Sequence, residues 1–348
     1  MPRVDTTPVV PPRHLGSGLV LALAAAAAFG LGGPFVKPLL EAGWTPAAAV
    51  LWRAGGAALI LAIPAALSLR GRWHVLRRNL GVIGLYGVFA VIAAQLCFYS
   101  AIEHMDVGIA LLIEYLAPVF LVLFAWARTR RHPGRFTLGG SALALAGLVL
   151  VLDLSGQATP ELVGIAWALT ASLGLCVYYV IAGRIDPELP PLALTGGAMI
   201  VGTALLGVLG LTGLVQVRAT FGEVVFLGSD VPWFLPASVI LGMSTVLAYL
   251  LGIAGGSRLG TRIASFVGLT EVLFSIVGSW LLLGELPAPI QFAGGALILT
   301  GVVLVRLQAE AAPTRAATSE AATGEAAPSD TATGEAAREE PPAPVRTP

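Results

Sequence analysis

GGSALALAGLVLVL at residues 139–152 and GGALILTGVVLV at residues 294–305 are one pattern written twice in one chain. Laid on each other, they place Gly140 on Gly294 and Gly147 on Gly301. Small residues about two turns apart on an apolar helix mark the face that a neighbouring helix approaches closely in lipid. The duplication extends outward from this pair. Gly18-Leu-Val-Leu-Ala-Leu-Ala aligns with Gly164-Ile-Ala-Trp-Ala-Leu-Thr, and Gly108-Ile-Ala-Leu-Leu with Gly260-Thr-Arg-Ile-Ala.

Between residues 17 and 307 the repeat resolves into ten mostly apolar runs: 17–38, 46–69, 80–102, 107–127, 136–153, 162–183, 192–215, 233–255, 262–283 and 288–306. A run of roughly 20 residues rising about 1.5 Å each crosses a hydrocarbon core about 30 Å thick. Inside lipid every backbone N–H and C=O has to be paired within the chain, so each run is read as a helix. Pro34 and Pro38 are expected to loosen the first of them where it leaves the bilayer. The expected fold is an all-α integral membrane protein with residues 17–153 and 162–306 as two five-helix repeats. An odd number of helices per repeat inverts the second copy, the arrangement that lets one central site face either side of a membrane.

Composition agrees. Mean hydropathy is +0.85, 56% of residues are apolar and 11% charged, and the 20 basic residues balance 20 acidic ones. No basic excess suggests a nucleic-acid partner; the expected partners are the lipid bilayer, a small-molecule substrate and protons. Cys97 and Cys176 lie inside apolar runs and are read as packing residues, not a disulfide. Lys37 is the only lysine against 19 arginines, which is read as composition bias. Fourteen basic residues fall on one set of connections and the termini, against Lys37 and Arg218 on the other set. That asymmetry places both termini in the cytoplasm of a cell-membrane protein. No signal-peptide cleavage pattern precedes the first run. Residues 1–16 read as a disordered leader. From 308 to 348 the chain turns to Ala, Thr, Glu and Pro, with TGEAA at 323–327 and 333–337, and reads as a disordered cytoplasmic tail.

The segments AFGLGGPFVKP (28–38), LCFYSAIEHMDVGIALLIEYLAPVFLVLFAW (96–126) and GLTEVLFSIVGSWLLLGELPAPIQFAGGALILTGVVLV (268–305) resemble the drug/metabolite transporter superfamily, specifically proteins with two EamA domains. The LIEYLAPV stretch at 112–119 is similar to that of its amino-acid exporter branch, which includes threonine/homoserine-type exporters. The resemblance implies export of small metabolites through a central cavity lined by helices 3, 4, 8 and 9, with help from 1 and 6. One departure concerns the loop between helices 4 and 5, where Arg130-Arg131-His132-Pro133 stands opposite Leu283-Gly284-Glu285 of the second half.

A charge in mid-membrane costs about 2.5–3.5 kcal/mol on insertion scales, so each one needs a reason. Glu114 lies seven residues into the fourth run, roughly 10 Å from the outer face. Pro118, one turn on, cannot donate to the Glu114 carbonyl and kinks the helix there. A free carbonyl beside a carboxylate suits an ammonium group or a proton; the alternative is a kinked helix whose Glu is satisfied by a neighbour. Arg53 enters the second run to the same depth, either clamping Glu114 or anchoring a substrate carboxylate. Glu271 lies near the midplane, with Thr270 before it and Ser275 one turn on, and is the candidate proton-coupling group. Gln95 and Tyr99 share one helix face, as do Ser244, Thr245 and Tyr249; with Trp167 these complete the candidate substrate-binding set. The four histidines lie in the leader or loops, HExxH is absent and no Walker A motif occurs, so neither a zinc protease nor an ATPase is expected. No enzyme activity, cofactor or metal is expected. The function expected is proton-coupled export of amino acids or related zwitterions by alternating access. The alternatives are a multidrug or cation exporter and an uncoupled, channel-like or lipid-moving facilitator.

Overall fold

The computed structural model describes residues 12–130, 133–152 and 161–324. Nine helices among them are long and apolar enough to cross a membrane: α1 Leu15–Glu41, α2 Pro46–Ser68, α3 Leu80–Ile102, α4 Val107–Thr129, α6 Leu162–Ala182, α7 Pro191–Leu211, α8 Phe234–Gly260, α9 Ile263–Leu283 and α10 Pro289–Leu307. The shorter apolar helix α5, Arg135–Val151, completes ten. Residues 131–132 and 153–160, the distal leader and residues 325–348 lie outside the described residues. Helix extends beyond the expected edges of the body, beginning at Pro12 and continuing to Gly324. The second extension crosses a boundary expected at 308; alanine, the strongest helix former, dominates it. Contacts divide the chain after Gln308, and the unit before that point is the membrane body.

The glycines that revealed the repeat also reveal its inversion. A Cβ on Gly140 would lie 2.7 Å from the Gly301 carbonyl oxygen, and one on Gly147 would lie 2.5 Å from that of Gly294. Residue 140 therefore faces 301 and residue 147 faces 294, so the equivalent helices α5 and α10 pack antiparallel. The equivalent pair α2 and α7 does the same, with Gly55 against Thr203 and Gly196 against Ala65. Opposite direction in matched helices is what an inverted repeat requires.

Irregular backbone recurs at matched places too. α3 is π-helical over Gly87–Ala93 and α8 over Gly242–Leu247. α4 breaks after Glu114 and α9 after Gly268. α1 breaks at Leu31, so Pro34 and Pro38 do not loosen its far end as expected. Instead Pro34, lacking an N–H, leaves the Gly30 carbonyl free, as Pro118 does for Glu114.

The connections divide between two ends. α2–α3, α4–α5, α6–α7 and α8–α9 lie at the end that carries most of the arginines, termed the basic end. At the opposite end the α7–α8 connection folds into a hairpin, β1 Glu223–Phe226 against β2 Ser229–Pro232, absent from the all-helical expectation. Its turn residues Leu227 and Gly228 both have positive φ, at 53° and 71°, as a tight two-residue hairpin turn demands. Beside it Trp44, Trp52, Phe221 and Trp233 pack ring on ring at 5.0–6.2 Å. Lys37 joins this closure: it pairs with Glu285 and donates to the Met105 carbonyl at 3.1 Å. The other Glu285 oxygen accepts the Val107 N–H at 3.0 Å, at the start of α4. Burial pushes the Glu285 carboxyl up from its ordinary value, while Lys37 opposes that shift. The lone lysine thus ties α1, α4 and the α9–α10 connection together, a role that composition does not reveal. At the basic end Asp186 accepts from Arg78 and Asn79, and these bonds hold its carboxyl down at about 2.

Candidate functional site: a two-arginine cavity

The breaks of α1, α4 and α9 and the π-helical segment of α3 line one cavity of about 680 Å³, and the matching segment of α8 ends two residues before the lining Tyr249. Broken helices expose backbone only where they line such a space. Arg53, Gln95, Tyr99, Glu114, Tyr249 and Glu271 all line it, so six of the residues singled out in the sequence meet there. Trp167 does not: it is 39% exposed and lies outside the cavity wall. Its position early in α6 fits an interfacial belt instead. All six tyrosines of the chain line the cavity, including Tyr86, Tyr115, Tyr178 and Tyr179, which sequence reasoning had not placed in the site.

Arg53 is buried at 6% exposure, and its guanidinium donates to Gln95 Oε1 and, at 2.9 Å, to the Tyr99 hydroxyl. Its carbon also lies 5.8 Å from the Tyr99 ring centre. The clamp expected between Arg53 and Glu114 does not form, since no ion pair within 4.0 Å joins them among the described residues. Equal depth on two helices does not fix equal rotation, and Arg53 turns toward α3. Glu114 is 7% exposed, and no protein hydrogen bond to its carboxyl is found among the described residues. The carboxylate therefore faces the cavity beside the backbone carbonyl that Pro118 leaves free.

Glu271 is held by a different hydroxyl from those expected. Tyr115 Oη donates to Glu271 Oε2 at 2.8 Å, whereas Thr270 donates to the Val267 carbonyl. Ser275 Oγ is buried without a partner among the described residues. Tyr115 sits at the break of α4 and Glu271 just past the break of α9, so this bond joins the two interruptions. α1 closes over the same point: a Cβ on Gly30 would lie 2.5 Å from the Glu271 carbonyl oxygen. Only glycine permits that approach. Cys97 and Cys176 are free and buried.

The cavity is asymmetric along the helix axes. Ile185, Leu189 and Pro191, from the α6–α7 connection and the start of α7, line it, as does Arg306 at the end of α10. Residues 42–45, 103–106, 212–233 and 284–288, at the opposite end, contribute nothing to the wall. The cavity thus reaches the basic end and stops below the tryptophan cluster.

The comparison with known proteins follows the same boundaries. A model described as the EamA-like transporter family matches residues 16–153 and again 162–307. The chain belongs to that family. Both EamA repeats are present, each with five helices. The threonine/homoserine exporter RhtA of Escherichia coli (strain K12) is 29% identical over 203 residues, covering 58% of this chain and 63% of the exporter, so the match spans less than two thirds of that relative. A probable terminal-alkyne amino-acid exporter of Streptantibioticus cattleyicolor is 28% identical over 237 residues, 66% of this chain and 73% of the relative. The uncharacterized transporter YwfM of Bacillus subtilis (strain 168) is 25% identical over 272 residues, covering 76% and 83%. A solved crystal structure shares the fold with a TM-score of 0.53 at 20% identity, covering 84% of this chain and 98% of its own. This member of the EamA family is a multi-pass membrane protein, similar to relatives named as amino-acid exporters.

Proposed function

We propose that the chain exports small zwitterionic metabolites, amino acids first among them, in exchange for protons by alternating access. The observation that carries this reading is the Arg53 guanidinium with the Glu114 and Glu271 carboxyls, none of them in an ion pair among the described residues, lining one cavity. Arg53, held in position by Gln95 and Tyr99, presents its remaining N–H donors to the substrate carboxylate. Glu114, with the Glu114 carbonyl freed by Pro118, receives the ammonium. Glu271 takes the proton. Its hydrogen bond from Tyr115 links proton occupancy to the matched breaks of α4 and α9, the elements able to change the tilt of their outer halves. The names of the related exporters support the substrate class.

By the distribution of basic residues both termini are cytoplasmic, and the cavity as described faces the cytoplasm. The membrane concerned is the plasma membrane. A second reading has its own support: six tyrosines with Phe29 and Phe98 make an aromatic wall that attracts cations, which suits a multidrug or cation exporter. Efflux from proteoliposomes against a panel of amino acids and cationic drugs, with and without an imposed pH difference, separates the two. Amino-acid efflux accelerated by the pH difference is the expected result; efflux of cations alone would replace this reading by the second.

A further inference from the structure

The Arg53 arrangement is built a second time, at the other end of the same cavity. Arg306 Nη2 donates to the Tyr179 hydroxyl at 3.0 Å, and its guanidinium carbon lies 5.9 Å from the Tyr179 ring centre. Arg53 stands to Tyr99 at 2.9 and 5.8 Å. Each arginine takes one further neutral oxygen, Gln95 Oε1 for Arg53 and the Ser265 carbonyl for Arg306. Neither has a carboxylate within 4.0 Å among the described residues. Both line the cavity.

An arginine at the end of a membrane helix ordinarily extends its charge outward to the lipid headgroups. Arg306 does the reverse, turning its head inward onto α6 and α9. Its two partners are neutral acceptors, which hold the guanidinium in one orientation without cancelling its charge. A fixed, uncancelled guanidinium at the mouth of a cavity is a receptor for an anionic oxygen pair.

Depth makes the two arginines separate positions. Arg53 is seven residues from the start of α2 and Arg306 seventeen from the start of α10, and both helices start at the same end. At about 1.5 Å per residue they lie roughly 15 Å apart along the membrane normal. That exceeds the span of one small amino acid, so one molecule does not bridge them. Glu114 and Glu271 lie at depths between or beside them, giving the order Arg306, Glu271, then Glu114 and Arg53 from the basic end.

We propose that Arg306 and Tyr179 form a loading site that captures the substrate carboxylate at the mouth, before transfer inward to Arg53. The inference rests on the amino-acid exporter reading above and adds a second carboxylate position to it. Capture at the mouth raises the occupancy of the inner site at low substrate concentration and leaves the turnover step itself untouched.

The test is a transport assay in proteoliposomes with L-homoserine, L-threonine and their methyl esters, which keep the ammonium and lose the carboxylate charge. Arg306→Gln is expected to raise the half-saturating concentration of the acids about tenfold, the value of one lost charge-assisted hydrogen-bonding group, with the maximal rate within about twofold. Transport of the esters should be the same in Arg306→Gln and wild type, and Arg306→Lys should recover only part of the lost affinity, because one ammonium cannot hold Tyr179 and the Ser265 carbonyl and still present a fork to a carboxylate. An unchanged half-saturating concentration for the acids, or equal damage to acids and esters, would overturn the proposal. Should Arg306→Gln fail to reach the membrane at wild-type levels, Tyr179→Phe carries the test: a rise of about threefold for the acids only supports the site, and no change overturns it. Wild-type protein that moves none of the acids would instead remove the exporter reading, a result distinct from either outcome for the variants.

Discussion

Arg53 shows how a single side chain ties sequence to function here. A guanidinium in an apolar run is expensive to bury, so residue 53 stands out from the sequence alone. Its partner does not. Arg53 and Glu114 share a depth, which residue counts supply, but contact also depends on helix rotation, which the packing of α2 against α3 and α7 decides. The same limit explains Arg306 and Tyr115. Arg306 ends a helix and counts as a loop charge until its inward turn is seen, and Tyr115 resembles any interfacial tyrosine until the α4 break aims it at Glu271. Two outcomes follow. Arg53→Lys should lower transport at least about tenfold despite keeping the charge, because one ammonium cannot hold Gln95 and Tyr99 and still present a fork to a carboxylate; transport close to wild type would show that only charge matters at this position. Tyr115→Phe should leave substrate binding unchanged and reduce pH-driven accumulation, as measured by binding and uphill uptake on the same preparation.

Among the elements, α5 and α10 were the most legible, since GxxxxxxG-type spacing in an apolar run has one common use in lipid. That use appears as backbone contact at Gly140–Gly301 and Gly147–Gly294. Gly147→Val should therefore push the two helices apart and lower the melting temperature of purified protein by about 5 °C or more, an overlap cost of a few kcal/mol in a chain of this size. A melting temperature within about 1 °C of wild type would mean that the contact is dispensable. The α7–α8 hairpin and the Lys37–Glu285 pair were not legible. The hairpin's strands are four residues long, too short for alternation to stand out, and the pair joins residues 248 positions apart.

At the scale of the molecule, the internal duplication foretells the ten crossings, and the matched glycines of α5 and α10 make the second repeat antiparallel to the first. Matched breaks in α4 and α9 place irregular backbone of both repeats around one cavity. Sequence periodicity could not locate that cavity's open end, because the lining alternates between helices of both repeats. Removal of residues 312–348 should leave export intact, since a composition of mainly Ala, Thr, Glu and Pro offers little apolar surface to bury; loss of transport in a truncated protein that inserts normally would contradict this. In the proposed mechanism uphill export rests above all on Glu271 as the link to proton movement. The decisive experiment is accumulation of L-homoserine or L-threonine in proteoliposomes under an imposed pH difference, comparing wild type with Glu271→Gln. A side chain that cannot release a proton cannot couple that proton to a conformational change. Glu271→Gln is expected to bind the amino acid with wild-type affinity and to fail to accumulate it against a gradient. Uphill accumulation equal to wild type would contradict proton coupling at Glu271 and move the proton site to Glu114.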